Sequence, residues 1–410
     1  MSIAYQPIAR KITATLLAAQ SLGSAGFIAA ATINSIVGAK LSGQPAWAGV
    51  PSAVYQIGGA LAALGWGYGM EKLGRRGGLA LGLMLGALGA GIASSAVIEN
   101  SFWIFLCGLV LMGAANAAVQ LGRFAAAEVH LPAERGRAIS NVVIGGTMGA
   151  VFGPLMVGPM GDWSRARGLD ELAGPYWASL VLFVLAAIVI MIFLRPDPRD
   201  IGREIAQKYP ETAPREAQPL AMILRRRGVI VAMIAMTIGQ LTMVMLMVIT
   251  SLHMKDHQHL LGDISLVISA HTFGMFAFSI FSGRLTDVWG RAPVIIVGAI
   301  TLVLACLAAP LSPDVLPISV ALFLLGLGWN FCYVGGSTLL ADQLSPGERA
   351  RTQGFNDLLI GATSALGSLS SGVLFAVSGY ALVGIAGAIL SLIPLGLTWV
   401  WSRPRVPAMR

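Results

Sequence analysis

Charge is what this sequence has least of. Asp, Glu, Lys and Arg make up 11% of its 410 residues, against about 25% in a soluble domain. So few charged groups cannot cover a surface of this size in water, which excludes a soluble fold. Cysteine is scarce too. Cys107, Cys306 and Cys332 all fall inside apolar runs, where they read as small buried hydrophobes and not as disulfide or metal ligands. No phosphate-binding loop of the Walker type occurs, which removes ATP as a direct energy source. His253, Asp256, His257 and His259 are the nearest thing to a metal cluster, and they fit a solvated loop better, so neither metal nor cofactor is expected. An enzyme is not expected either. The net charge of +8 would suggest nucleic acid in a soluble chain. Here the cations sit in short loops, where they act as topology signals, and no nucleic-acid partner is expected. The first apolar stretch is too long for a cleavable signal peptide.

What the chain does have is apolar length. Residues of the apolar set make up 56%, and there are 50 glycines. A membrane helix needs about 20 mostly apolar residues. Twelve such stretches occur. The first six are Ile12–Ala39, Trp47–Met70, Gly77–Ile98, Phe102–Ala127, Ala138–Met160 and Tyr176–Leu194. The second six are Val229–Leu252, Ile264–Ser282, Val294–Leu311, Leu316–Ala341, Asp357–Ser378 and Ala381–Trp401. The expected fold is an all-α membrane protein with two six-helix bundles, 1–194 and 229–410, joined by a polar cytoplasmic linker, 195–228. The end of that linker, Leu220–Leu224 followed by Arg225–Arg227, is read chiefly as a topology stop signal. Of the 27 Lys and Arg, 22 lie on one side if the termini are cytoplasmic. Only Lys40, Arg165, Arg167 and Lys255 fall on the other, and Arg123 lies within a span. This bias predicts cytoplasmic termini.

Two motifs repeat in order. Gly67, Glu71, Gly74 and Arg75 recur as Gly283, Asp287, Gly290 and Arg291, 216 residues later. Glu128, Pro132, Glu134, Arg135 and Arg137 recur as Asp342, Pro346, Glu348, Arg349 and Arg351, 214 residues later. Two parallel repeats of six spans are an architecture of secondary transporters. The first motif, together with twelve spans and a long central linker, resembles the major facilitator superfamily over essentially the whole chain. Its first copy departs mildly, with Glu71 for Asp, Lys72 for Arg and Gly69 for Leu. The resemblance implies a gating latch of Gly67, Glu71, Arg75, Glu128, Gly283, Asp287, Arg291 and Asp342. In it Arg75 pairs with Glu128, and Glu71 faces the start of span eleven near Asn356. Gly67 and Gly283 are expected to let neighbouring helices pack closely.

Span five carries Gly145, Gly149, Gly153, Pro154 and Gly158, a smooth face with a bend. It is similar to the glycine-proline element of the drug/proton antiporter branch. Span eleven holds only a looser echo in Gly361, Gly367 and Gly372. That branch places an Arg in span four where this chain has Leu109. Polar residues inside spans are costly and default to functional candidates. Gln20, Asn34, Gln56, Asn116, Gln120, Gln240, His271, Trp329 and Asn330 are the expected substrate cavity. His271 and Asp357 are the expected coupling groups, with protons as the candidate ion. The expected protein is therefore a monomeric, multi-pass transporter of the bacterial inner (plasma) membrane. It binds a small, hydrophobic or weakly polar solute and is embedded in the lipid bilayer. Proton-coupled efflux is the first reading. Facilitated movement or import of a neutral metabolite is the alternative.

Overall fold

The computed structural model describes residues 6–131, 134–208 and 218–403. Residues 209–217 of the expected linker, Pro132 of the second repeated motif, and Arg405 and Arg410 of the tail lie outside the described residues. Within them every regular element is helical. The α-helices are α1 (Gln6–Ser42), α2 (Val50–Ile98), α3 (Phe102–Gln120), α4 (Gly122–Glu128), α5 (Arg135–Leu155), α6 (Val157–Arg165), α7 (Gly174–Phe193) and α8 (Pro198–Lys208). They continue with α9 (Leu220–Ile223), α10 (Arg227–Asp256), α11 (Leu261–Phe276), α12 (Ser279–Val288), α13 (Arg291–Ala308), α14 (Val315–Asp342) and α15 (Pro346–Ser402).

A helix closes its backbone hydrogen bonds within one segment, the condition a chain must meet in hydrocarbon. Among the described residues, ten helices are long and apolar enough to cross a membrane. Two of these stretches run through backbone breaks. Helix α2 breaks at Gly74 (φ 77°), and α15 breaks at Ser378 and Gly379 (φ 69°). Each break divides one long helix into two spans, which makes twelve membrane-crossing segments. Large apolar side chains such as Leu61, Trp103, Ile280 and Leu311 stand exposed on these helices. Lipid is the solvent that accepts such a surface. The molecule is an integral, multi-pass membrane protein.

By packing, the chain forms two units. One comprises Met1–Thr212 with Ser251–Ser269; the other comprises Ala213–Thr250 with Ala270–Arg410. In the first, the α5 glycines form a seam against α1. A Cβ at 145, 149 or 153 would run into the carbonyl oxygen of Leu17, Ser21 or Ala25 respectively. Small residues here let two backbones touch, which is how helices gain attraction where no hydrophobic effect operates. The α5 helix ends just past Pro154, and α6 begins at Val157. In the second unit Gly274 and Gly326 bring α11 and α14 together in the same way, and Gly298 does so for α13 and α14. Cys332 fills the notch at Gly298, Cys306 fills the one at Gly387, and Cys107 is exposed.

The basic residues expected outside find partners within the first unit. Lys40 pairs with Asp170, and Arg165 with Glu171 and Asp162. Lys255 donates to Glu171 at 2.7 Å, and Arg167 lies over the Trp163 ring at 4.0 Å.

Candidate gate and substrate site

The repeated loops build two equivalent ion pairs. In the first unit, Gly74 holds a positive φ that a side chain would strain. The next residue, Arg75, donates from Nε to Glu128 Oε1 and Oε2 at 3.1 and 2.9 Å, and also from Nη2 to Oε1. This is the two-pronged geometry at which an arginine–carboxylate pair is strongest. In the second unit Gly290 repeats the backbone turn, with φ 88°. Arg291 Nε donates to Asp342 Oδ2 at 2.7 Å and Nη1 donates to the Thr286 carbonyl at 2.9 Å. Asp287 is exposed and stands 3.9 Å from Arg291. Glu71 offers its backbone carbonyl, not its side chain, to Arg199. Gly67 and Gly283 differ from expectation: among the described residues, a Cβ at either would meet nothing within 4 Å.

A third pair was not read from the sequence. Arg226 donates to Glu348 Oε2 and Oε1 at 3.0 and 2.7 Å, and to the Gln343 carbonyl at 2.6 Å. Glu348 also closes a capping box with Ser345 at the start of α15. The hydrogen bonds from Arg226 push the Glu348 carboxyl down to about 2, and the Ser345 amide adds to this. Ser345-x-x-Glu348 fits the capping-box pattern, whereas from the sequence Glu348 is read only as a member of the repeat.

The expected cavity residues separate into two groups. Several are spent on structure. Asn34 is buried and accepts from Tyr176 Oη at 2.8 Å. Gln20 donates to Ser24 Oγ within α1 at 3.3 Å. Asn330 donates to the Met275 carbonyl at 2.6 Å and to Ser279 Oγ at 2.9 Å, and it accepts from Ser282 Oγ. It thereby staples the break between α11 and α12, where carbonyls lack helical partners. Gln56 and Asn116 are half-buried and Gln120 is exposed. Of the helix-five residues, Gly145, Gly149 and Gly153 lie on the α1 seam, and Gly158 sits against Gly262. That seam by itself accounts for the glycine face.

The second group is a cluster in the second unit. Trp329 Nε1 donates to Gln240 Oε1 at 2.7 Å, and Gln240 Nε2 donates to Ser364 Oγ at 2.9 Å. The Trp329 ring stacks on Tyr333 with centroids 4.9 Å apart and 21° between planes, and Phe276 meets it edge-on at 6.1 Å. Gln240 and Tyr333 are half-buried. A glutamine amide has two donors and two acceptor sites. These two bonds use one of each. His271 is fully buried. Its Nδ1 meets the Leu322 carbonyl at 2.9 Å, while Nε2 has no partner among the described residues. Asp357 lies on the exposed side of α15.

The family model described as Major Facilitator Superfamily matches residues 13–262 and 234–409. The "Uncharacterized MFS-type transporter YdeG" of Bacillus subtilis is 37% identical over 392 residues, covering 94% of this chain and 90% of that one. The "Riboflavin transporter RfnT" of Brucella anthropi is 31% identical over 373 residues, covering 91% of each. The "Multi-drug resistance efflux pump PmrA" of Streptococcus pneumoniae is 24% identical over 344 residues, covering 82% of this chain and 80% of that one. Among solved structures, a bacterial homolog of the human lysosomal transporter Spinster matches with a TM-score of 0.74 at 15% identity, covering 98% of this chain and 100% of that one.

Proposed function

We infer that this chain, which belongs to the Major Facilitator Superfamily, moves a neutral, planar, weakly polar organic solute across a bacterial inner membrane by alternating access. The family and fold are those of transporters, not enzymes. The carrying observation is the Gln240–Trp329–Tyr333 cluster. A stacked indole and phenol present an aromatic face, and the Gln240 amide keeps one donor and one acceptor to offer. This pairing complements the edge of an uncharged heterocycle. A phosphorylated or strongly anionic solute would call for Lys or Arg in its place. The likeness to a protein named a riboflavin transporter supports the same solute class.

The Lys and Arg bias supports cytoplasmic termini. The Arg75–Glu128 and Arg291–Asp342 pairs then brace helix ends at the cytoplasmic mouth, and they must loosen as it opens. The protein acts as a monomer.

Proton-coupled efflux is the second reading. It draws on the helix-five pattern and on the likeness to an efflux pump. In it His271 carries the proton, since its buried Nε2 is open to one, and Asp357 is the other candidate. Riboflavin counterflow in proteoliposomes tests the first reading. Gln240→Leu should raise KM at least tenfold with little change in Vmax. Absence of counterflow, with protonophore-sensitive efflux of a lipophilic cation from pump-deficient cells, would replace the first reading by the second. Pump activity with the same pH dependence in His271→Ala would then remove His271.

A further inference from the structure

The break at Gly74 leaves two helix ends facing one gap. After it, segment 75–98 opens with amide groups that have no carbonyl four residues back. Before it, the preceding segment ends with carbonyls lacking helical partners. Glycine at 74 offers no side chain to cap either end. The cap arrives from 122 residues further along the chain. Asp197 Oδ1 accepts from the Arg75 amide at 3.1 Å, and Oδ2 accepts from the Arg76 amide at 3.0 Å. The carboxylate is itself anchored, because Oδ1 also accepts from the Arg199 amide at 2.9 Å. Across the gap, Arg199 Nη1 donates to the Glu71 carbonyl at 2.8 Å. An anion thus sits at the positive end of one helix and a cation at the negative end of the other. One turn further along α8, Gly202 lies against Glu128, where a Cβ would come within 3.1 Å of the Glu128 Cβ. The start of the linker therefore touches both sides of the break and the acid that pairs with Arg75.

We propose that Asp197 is a positioning residue of the transport cycle. By holding the Arg75 and Arg76 amides it fixes the backbone from which the Arg75 guanidinium reaches Glu128 in two-pronged register, and α8 acts as a clasp over that pair. The repeat makes the clasp one-sided. After the sixth span the chain reads Leu194-Arg195-Pro196-Asp197; after the twelfth it reads Ser402-Arg403-Pro404-Arg405. Arg-Pro is kept and the acid is replaced by a base. Among the described residues, no side chain caps the start of helix α13, which begins at Arg291 after Gly290. Its pair with Asp342 is correspondingly single-pronged. One gate is clasped by the linker; among the described residues its counterpart is held by the ion pair without a cap.

The clasp is tested without a substrate, so its failure leaves the transport reading intact. Hydrogen exchange of the full chain in lipid nanodiscs reads the amides directly. Asp197→Ala should speed exchange at Arg75 and Arg76 tenfold or more. Asp197→Asn, which keeps one acceptor oxygen, should speed it less. The segment around Glu128 should loosen in Asp197→Ala as much as in Arg75→Ala, and the double variant should loosen it no further. The amides that open α13 should be unchanged. Unaltered exchange at 75–76 would overturn the proposal. So would loosening at 75–76 with the Glu128 segment unmoved, or a uniform rise across the whole first unit, which would mark a general loss of stability.

Discussion

A single methyl group at position 149 should loosen the first unit, and the same group at position 361 should not. Glycine 149 faces the α1 backbone at the middle of the seam. A Cβ there would lie 2.7 Å from the Ala25 nitrogen and 2.8 Å from the Ser24 Cβ, and it would overlap the Ser21 carbonyl oxygen. Ordinary contact begins near 3.4 Å. The obstacle is backbone, which cannot swing aside, so α1 and α5 must part by about 1 Å or more at the Ser21 carbonyl, or distort locally. Overpacking of this kind costs about 1–3 kcal/mol. A loss near 2 kcal/mol moves the melting of a unit of this size by about 2–4 °C per kcal/mol, a fall of roughly 4–8 °C. Position 361 is the opposite case: a Cβ there meets nothing within 4 Å, and replacing a helical glycine by alanine gains about 0.5–1 kcal/mol. The assay is thermal melting of the detergent-solubilised full chain, followed by size-exclusion chromatography. Gly149→Ala melting with the wild type, or Gly361→Ala falling as far as Gly149→Ala, would refute the argument that the seam is set by backbone contact.

Two further outcomes follow from the ion pairs. Arg75→Ala removes charge-assisted bonds worth about 1.5–3 kcal/mol, so turnover should fall about tenfold or more, at one decade per about 1.4 kcal/mol. Asp287→Asn, expected from the repeat to matter equally, should change it less than about fivefold, because an exposed acid 3.9 Å from its partner contributes about 0–1 kcal/mol; equal losses in counterflow would contradict this ranking. Glu348 has its carboxyl held down to about 2 from the usual 4.5, so its bonds with Arg226 stabilise the fold fully above pH 4.5 and are lost as pH falls toward 2. Melting points compared between pH 5 and pH 3 should fall less in Glu348→Gln than in the wild type, and parallel curves would remove Glu348 from the acid response.

The fold was legible because its cause is coarse. Apolar length over about 20 residues sets a span whatever its detailed packing, and the repeat of Gly67–Arg75 as Gly283–Arg291 marks two halves. The Arg75–Glu128 pair was legible through the family resemblance, and both partners recur in register as Arg291 and Asp342. Function of the amides was not. Asn330 and Gln240 look alike in sequence, each a lone amide in an apolar helix. Only the backbone break beside Met275 shows that Asn330 staples α11 to α12, while Gln240 keeps bonding capacity. Asp197 escaped because its partners are backbone amides, which leave no trace in residue identity. Gly67 shows the converse: it reads as a packing residue, and among the described residues a Cβ there meets nothing within 4 Å.

The placement of the three thiols has a practical consequence for labelling chemistry. Two are sealed in notches opposite glycines, and Cys107 opens among exposed apolar side chains such as Trp103 and Ile104. A water-borne maleimide therefore finds two native thiols sealed and the third on the apolar outer surface. A reporter cysteine can be introduced anywhere along the gate with all three left in place, and the Gly298 and Gly387 notches stay filled while the gate is watched.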